Sequence, residues 1–67
     1  MNAGVRNQLT GTVSDIESGE VMSQVTIKVG DNEICSVMTT SSVQQAGFQV
    51  GDQATALVKA ASVVLVK

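Results

Sequence analysis

The sequence contains no histidine, proline, tryptophan or tyrosine, and it has one cysteine and one phenylalanine among 67 residues. The single Cys35 has no partner for an intrachain disulfide, and without histidine no His/Cys cluster is available for structural zinc. Histidine, the commonest general base of enzymes, is absent, and no loop of the form GxxxxGK[ST] is present to bind a nucleotide phosphate. These absences predict a protein that is not an enzyme.

Positive charge is also scarce. Four basic residues face six acidic ones, which gives a net charge of −2. Nucleic-acid-binding proteins usually present a basic patch, and those that bind single strands add stacking aromatic rings, so no nucleic-acid partner is expected. No apolar run approaches the roughly 18 residues of a membrane span, and the N-terminal residues lack the pattern of a secretory signal. The sequence therefore predicts a cytoplasmic protein without a membrane partner.

The short length limits the core that one copy can bury. A single domain over residues 1–67 is expected, and a chain of this size buries only about 60% of the surface that it exposes when unfolded. Hydrophobic residues make up 43% of the sequence, yet neither a disulfide nor a metal reinforces the core. Small domains of this kind often depend on oligomerisation, so we expect a homo-oligomer.

Alternating and β-branched segments predict strands through most of the chain. The clearest alternation is in residues 21–29, whose odd-numbered residues share one face. A short helix is predicted over residues 41–46, because Ser41 and Gln44 form the S-x-x-Q pattern of a capping box and Gly47 is a stop signal. The predicted strands cover residues 9–16, 21–29, 33–39, 53–58 and 62–66. This order predicts an all-β fold, a small OB-like five-stranded barrel with one short helix.

Two basic residues need an explanation. Lys59 is the only charged residue between Asp52 and Lys67, in a run of small and apolar residues, so it either reaches solvent from a strand edge or meets a partner. Arg6 precedes the first strand, where an exposed N-terminal arm is the simpler interpretation. Together the two side chains offer hydrogen-bond donors and no acceptor, which suits a fully deprotonated oxyanion.

The acidic residues Asp15, Glu17 and Glu20 lie close together in the sequence. Their spacing does not match the ligand positions of an EF-hand loop. Acidic residues around a glycine are typical of a solvated turn, so no metal site is expected.

Four motifs follow one another in a fixed order. Residues 6–11 read RNQLTG, residues 19–25 GEVMSQV, residues 42–52 SVQQAGFQVGD and residues 58–63 VKAASV. They resemble, in register and without an insertion, the motifs A-R-N-x-L-x-G, G-x-V-x-x-x-V, S-V-x-x-L-G-L-x-x-G-D and I-K-A-S-S-V of the molbindins. These are the Mop or TOBE family of molybdate- and tungstate-binding proteins. The ordered set covers almost the whole chain.

The resemblance implies an assembly as well as a fold. Members of this family have OB-like barrels that pair by exchanging strands. Free-standing units form hexamers, as trimers of dimers, and hold oxyanions in the interfaces between subunits. By resemblance, the main site would take Arg6 from one subunit and Lys59 with Ala60 from a neighbour.

The main site differs from the family pattern at two positions. Gly4 stands where the family often has serine, and Ala61 stands where it often has serine or threonine. We expect the backbone N–H groups of both residues to replace the missing hydroxyls. Ser62 is expected to lie at the same site.

The resemblance also implies a second site near the threefold axis, formed by the backbone of Glu20, Val21 and Met22. The function it implies is binding and storage of molybdate or tungstate, without catalysis and without an organic cofactor. The alternative is a structural or regulatory assembly module that has lost its anion site together with the two hydroxyls.

Overall fold

A computed structural model describes residues 5–67 of the chain. The elements are β1 (Asn7–Ser18), β2 (Met22–Val29), β3 (Asn32–Thr39), α1 (Thr40–Ala46), β4 (Gln53–Val58) and a 3₁₀ helix (Ala60–Ser62). The expectation of a mostly β fold with one short helix is confirmed. No helix within the described residues is long and apolar enough to cross a membrane.

The four strands form one antiparallel sheet in the order β3-β2-β1-β4. β1 is the longest strand, with 12 residues. It pairs with β4 over its first half and with β2 over its second half. The sheet curls, because side chains of both edge strands, β3 and β4, line one apolar groove of about 390 Å³. The fold is therefore a half-barrel that is open between its two edge strands.

The core lies on the concave side of this sheet. Its buried apolar residues are Val13, Val25, Ile27 and Val43. The odd-numbered face predicted for β2 is confirmed, since Val25 and Ile27 are buried there. Helix α1 contributes Val43 and thereby closes one side of the core.

At Gly11, β1 passes so close to the end of β2 that no side chain fits between them. A Cβ atom at this position would lie 2.3 Å from the carbonyl oxygen of Lys28 and 2.8 Å from the side chain of Val29. Real Cβ atoms do not approach backbone oxygen that closely, so only glycine fits there.

The helix begins one residue earlier than predicted, and its N-cap is different. Thr39, not Ser41, is the N-cap, because its Oγ1 accepts a hydrogen bond of 3.2 Å from the backbone N–H of Ser42. The prediction for the other end is confirmed. Gly47 ends the helix in the left-handed region, with φ of 72°.

The predicted fifth strand over residues 62–66 is not formed. The chain leaves β4 through the 3₁₀ helix, and residues 63–67 have no regular secondary structure. Val64, Leu65 and Val66 are 84–92% exposed. A strand requires a neighbouring strand for its backbone hydrogen bonds, and no strand of the described chain lies beside this segment. Residues 5–67 therefore form a four-stranded half-barrel and not a five-stranded barrel.

Candidate functional site

The two unexplained cations lie at the same end of the sheet. The pairing of β1 with β4 ends at Asn7 and Val58. Arg6 and Lys59 are the next residue on each strand, and both are exposed. Neither the guanidinium nor the ammonium group is a donor in the side-chain hydrogen bonds of residues 5–67. The fold thus brings together two like charges, each with its donors still available.

A cleft of about 430 Å³ opens beside Arg6. Its other lining residues are Asn7, Gln8, Leu9, Val58 and Val63. Lys59 follows Val58 directly but does not line the cleft. Within one chain, therefore, Arg6 is the only one of the two cations that lines the cleft, and part of the cleft's lining is apolar.

Backbone donors follow Lys59 in the 3₁₀ helix. The Ser62 N–H donates to the Lys59 carbonyl at 2.9 Å, and the Val63 N–H donates to the Ala60 carbonyl at 3.3 Å. The first amides of such a helix have no acceptor within it, which leaves the N–H groups of Ala60 and Ala61 unused among the described residues. The backbone donors expected at Ala60 and Ala61 are therefore available. Ser62 retains only its hydroxyl, because its amide is already used.

The remaining main-site residue, Gly4, lies outside the described residues. The N-terminal arm is described from Val5, whose carbonyl accepts a hydrogen bond of 3.1 Å from Nε2 of Gln8. This bond spans Arg6 and fixes the backbone just before β1.

The second predicted site lies at the other end of β1. The turn between β1 and β2 uses its carbonyl groups internally: Gly19 accepts from Thr40 Oγ1 at 2.8 Å, Val21 from Thr40 N–H at 2.7 Å, and Met22 from Gly19 N–H at 3.0 Å. Glu20, Val21 and Met22 are exposed. Nearly the whole of β1, which has 12 residues, lies between this turn and Arg6, so the two places are at opposite ends of the longest strand. The two predicted sites are therefore separate.

Sequence reasoning missed the hydrogen bonds that hold this turn. Ser23 and Thr40 are buried, and their hydroxyl groups are 2.7 Å apart. The available signal was a serine at position 23, on the otherwise apolar face of β2. A hydroxyl on such a face needs a partner, and the threonine at the start of α1 supplies it.

The acidic residues near the same turn do not converge. Among residues 5–67 no group of three or more His, Cys, Asp or Glu side chains is arranged to hold a metal ion.

Comparison with known proteins finds one family. The sequence profile of the TOBE domain matches residues 4–65. Molybdenum-pterin-binding protein 2 of Clostridium pasteurianum is 35% identical over 66 residues, which cover 97% of this chain and 97% of the relative. The molybdenum transport protein ModE of Herbaspirillum seropedicae is 40% identical over 67 residues, but this chain spans only 25% of its length. These relatives carry the names of binding and transport proteins, in agreement with the prediction of a non-enzymatic protein.

Solved structures show the same fold. A molybdate-binding protein from Sporomusa ovata superposes with a TM-score of 0.93 at 34% identity and covers 100% of both chains. ModG, described as a cytoplasmic molybdate-binding protein and solved with molybdate bound, superposes with a TM-score of 0.83 at 39% identity over 90% of this chain and 43% of its own. The curled four-stranded sheet with one short helix is thus a fold that these molybdate-binding proteins share.

Proposed function

The chain belongs to the TOBE domain family, and we propose that it binds molybdate or tungstate and stores these oxyanions in the cytoplasm. The observation that carries the proposal is the position of Arg6 and Lys59. Arg6 and Lys59 lie at the same end of the β1–β4 pair, and the N–H groups of Ala60 and Ala61, which have no acceptor among residues 5–67, directly follow Lys59. A cluster of donors with no carboxylate nearby is a site for an anion and not for a metal cation.

Binding would work by charge neutralisation in a partly dry interface. Two positive charges compensate a dianion, and backbone N–H groups complete its hydrogen bonds. Excluding water strengthens both interactions, because the effective dielectric constant falls. No bond is made or broken in the anion, so the protein needs no general base.

The open groove and the exposed tail support an exchanged assembly. Residues 63–67 include three strongly exposed apolar side chains, while the groove between β3 and β4 is apolar and unfilled by a strand. In the proposed dimer, the tail of each copy adds the missing strand to the sheet of the other. Three such dimers form a hexamer. This arrangement explains why Lys59 does not line its own cleft, since it would reach the cleft of a neighbouring copy.

Two parts of the proposal rest mainly on the resemblance. Gly4 is proposed to donate its N–H to the main site in place of the family hydroxyl. The turn at Glu20, Val21 and Met22 is proposed as the second site, and the carbonyl groups of Val21 and Met22 support this, because both already accept hydrogen bonds within the chain.

The bare oxyanion is proposed as the ligand, although several relatives, the Clostridium pasteurianum protein among them, are named for a molybdenum-pterin. Flat pterin rings are usually held against aromatic side chains. Phe48 is the only aromatic residue, and it packs against the core. The ligand is therefore expected to be recognised through its oxygen atoms alone.

Equilibrium dialysis of the whole chain against molybdate, tungstate, sulfate and a free pterin tests the proposal. Molybdate and tungstate should be retained. Since a ligand that binds only the folded state stabilises it by mass action, molybdate at a hundredfold excess over its Kd should add about 2.7 kcal/mol to the free energy of unfolding. Sulfate at equal ionic strength should add much less.

Equal stabilisation by sulfate and molybdate, with no retention in dialysis, would refute the proposed site. A chain that still assembled under those conditions would fit the alternative, an assembly module without an anion site. The observation that favours this alternative is the absence of side-chain hydroxyls at Gly4 and Ala61.

A further inference from the structure

The lining of the cleft beside Arg6 is half polar and half apolar. Its polar residues form one continuous stretch, residues 6–8, at the start of β1. Its apolar residues come from three separate segments: Leu9 lies on β1, Val58 ends β4, and Val63 follows the 3₁₀ helix. Three of the six lining residues therefore offer no side-chain hydrogen bond to an anion in the cleft.

Val63 differs from the residues that follow it. It is 44% exposed, whereas Val64, Leu65 and Val66 are 84–92% exposed. Its N–H donates to the Ala60 carbonyl at 3.3 Å, which ties it to the 3₁₀ helix. Among residues 60–67, all of which the structure describes, only Val63 lines the cleft. Val63 is therefore held at the cleft of its own chain, and the strongly exposed part of the tail begins after it.

We infer that Val63 is a specificity-determining residue of the oxyanion site, through which the site prefers large, weakly hydrated dianions over sulfate. The inference rests on the proposed function and adds a physical reason for the choice between fully deprotonated oxyanions. The valine side chain has no polar atom, so it replaces none of the hydrogen bonds that an anion loses when water leaves the cleft.

Charge and protonation do not separate molybdate from sulfate. Both are tetrahedral dianions without an O–H group at pH 7, so the charges of Arg6 and Lys59 attract both. Sulfate is the smaller ion, and the hydration free energy of an ion of given charge grows as its radius falls. Sulfate therefore loses more on leaving water, and an apolar lining residue disfavours it more than it disfavours molybdate or tungstate.

Val63 is the apolar residue of the cleft that can be changed without touching the sheet. Leu9 and Val58 lie in the paired segments of β1 and β4, whereas Val63 lies outside them. Val63→Thr keeps the shape of the side chain and replaces one methyl group by a hydroxyl, which is a hydrogen-bond donor. A changed preference would therefore report the hydroxyl and not the size of the cleft.

The test titrates the whole chain and its variants with molybdate and with sulfate in a calorimeter, at pH 7 and equal ionic strength. Val63→Thr should reduce the preference for molybdate over sulfate about fivefold, because the smaller anion gains more from one added hydrogen bond. Val58→Thr makes the same change at a second apolar residue of the cleft and should shift the preference in the same direction.

Val50→Thr is the matched control. Val50 is 64% exposed in the turn before β4 and does not line the cleft, so the same substitution there should keep the preference of the unmodified chain. Light scattering of each variant verifies that the assembly is unchanged, since Val63 begins the tail.

The outcomes separate the inference from the function on which it rests. If the unmodified chain binds molybdate but Val63→Thr keeps its full preference over sulfate, the inference is overturned and the proposed function stands. The same holds if Val63→Thr weakens both anions in parallel, because that is the effect of a merely structural role. If the unmodified chain binds no molybdate, both are overturned.

Discussion

The two ends of β1 differ in how completely one chain satisfies them. At its C-terminal end, around Ser18, the turn to β2 is held by four internal hydrogen bonds, and helix α1 covers the core. At its N-terminal end, Arg6 and Lys59 lie next to the last paired residues of β1 and β4, and a cleft opens beside Arg6. The tail that follows the 3₁₀ helix exposes its apolar side chains.

The turn at the C-terminal end of β1 stabilises the fold, whereas the N-terminal end of β1 leaves polar and apolar groups exposed. Hydroxyl, carbonyl and amide groups at the turn find partners within 3.0 Å in the same chain. The donors of Arg6, Lys59, Ala60 and Ala61 have no such partner among residues 5–67, and clusters of unpaired donors and exposed apolar residues are typical of binding surfaces. Function is therefore expected where the single chain is incomplete.

The largest effect should come from charging the tail. Leu65→Asp would bury a carboxylate in the apolar groove of a neighbouring copy, which costs several kcal/mol. We expect light scattering to show a hexamer for the unmodified chain and smaller species for this variant. Val50→Asp is the control, because Val50 is a similarly exposed apolar residue in the turn before β4. A Leu65→Asp hexamer as stable as that of the control would contradict the exchanged tail.

The next effect should come from Lys59, the cation that is proposed to reach the cleft of a neighbouring copy. Lys59→Met keeps the length of the side chain but removes its charge, and molybdate affinity should fall by about 2–4 kcal/mol, the cost of truncating one partner of a buried charge pair. Lys28→Met changes an exposed lysine on β2 and should leave the affinity nearly unchanged. Calorimetric titrations that give the same Kd for both variants would show that Lys59 reaches solvent only.

The smallest effect is expected at the C-terminal end of β1, where the polar groups of the turn are hydrogen-bonded within the chain. Thr40→Val leaves the Ser23 hydroxyl and the Gly19 carbonyl without a partner, and should lower the free energy of unfolding by about 1–2 kcal/mol. Adding Ser23→Ala to it should cost less than the sum of the single changes, because the buried hydroxyl then no longer lacks a partner. Chemical denaturation measures all three variants. Strictly additive costs would mean that the 2.7 Å contact between the hydroxyls contributes nothing.

The sequence by itself determined the local elements of this protein. The alternation in residues 21–29 predicted β2 and its buried face, and the segments around Gly47 and Asp52 predicted the C-terminal end of α1 and the start of β4. Strand alternation and helix capping act within a few residues, so they can be read without knowing the fold. The family can also be recognised without knowing the fold, since its motifs are contiguous stretches of sequence. The capping error is small: Thr39 and Ser41 are both good N-cap residues two positions apart, and the hydrogen bond to Ser42 selects the first.

Only the tertiary structure decided the rest. Residues 62–66 have the composition of a strand, but a strand exists only where another strand supplies its hydrogen bonds, and none is available in the described chain. Arg6 and Lys59 are 53 positions apart in the sequence, and it is the register of β1 against β4 that brings them to one end of the sheet. The capping of the Val5 carbonyl by Gln8 and the buried pair of Ser23 and Thr40 depend likewise on where backbone groups point. A hydrogen bond requires its two atoms to lie about 3 Å apart. The separation of two residues in the sequence does not give this distance, because the pairing of the strands sets it.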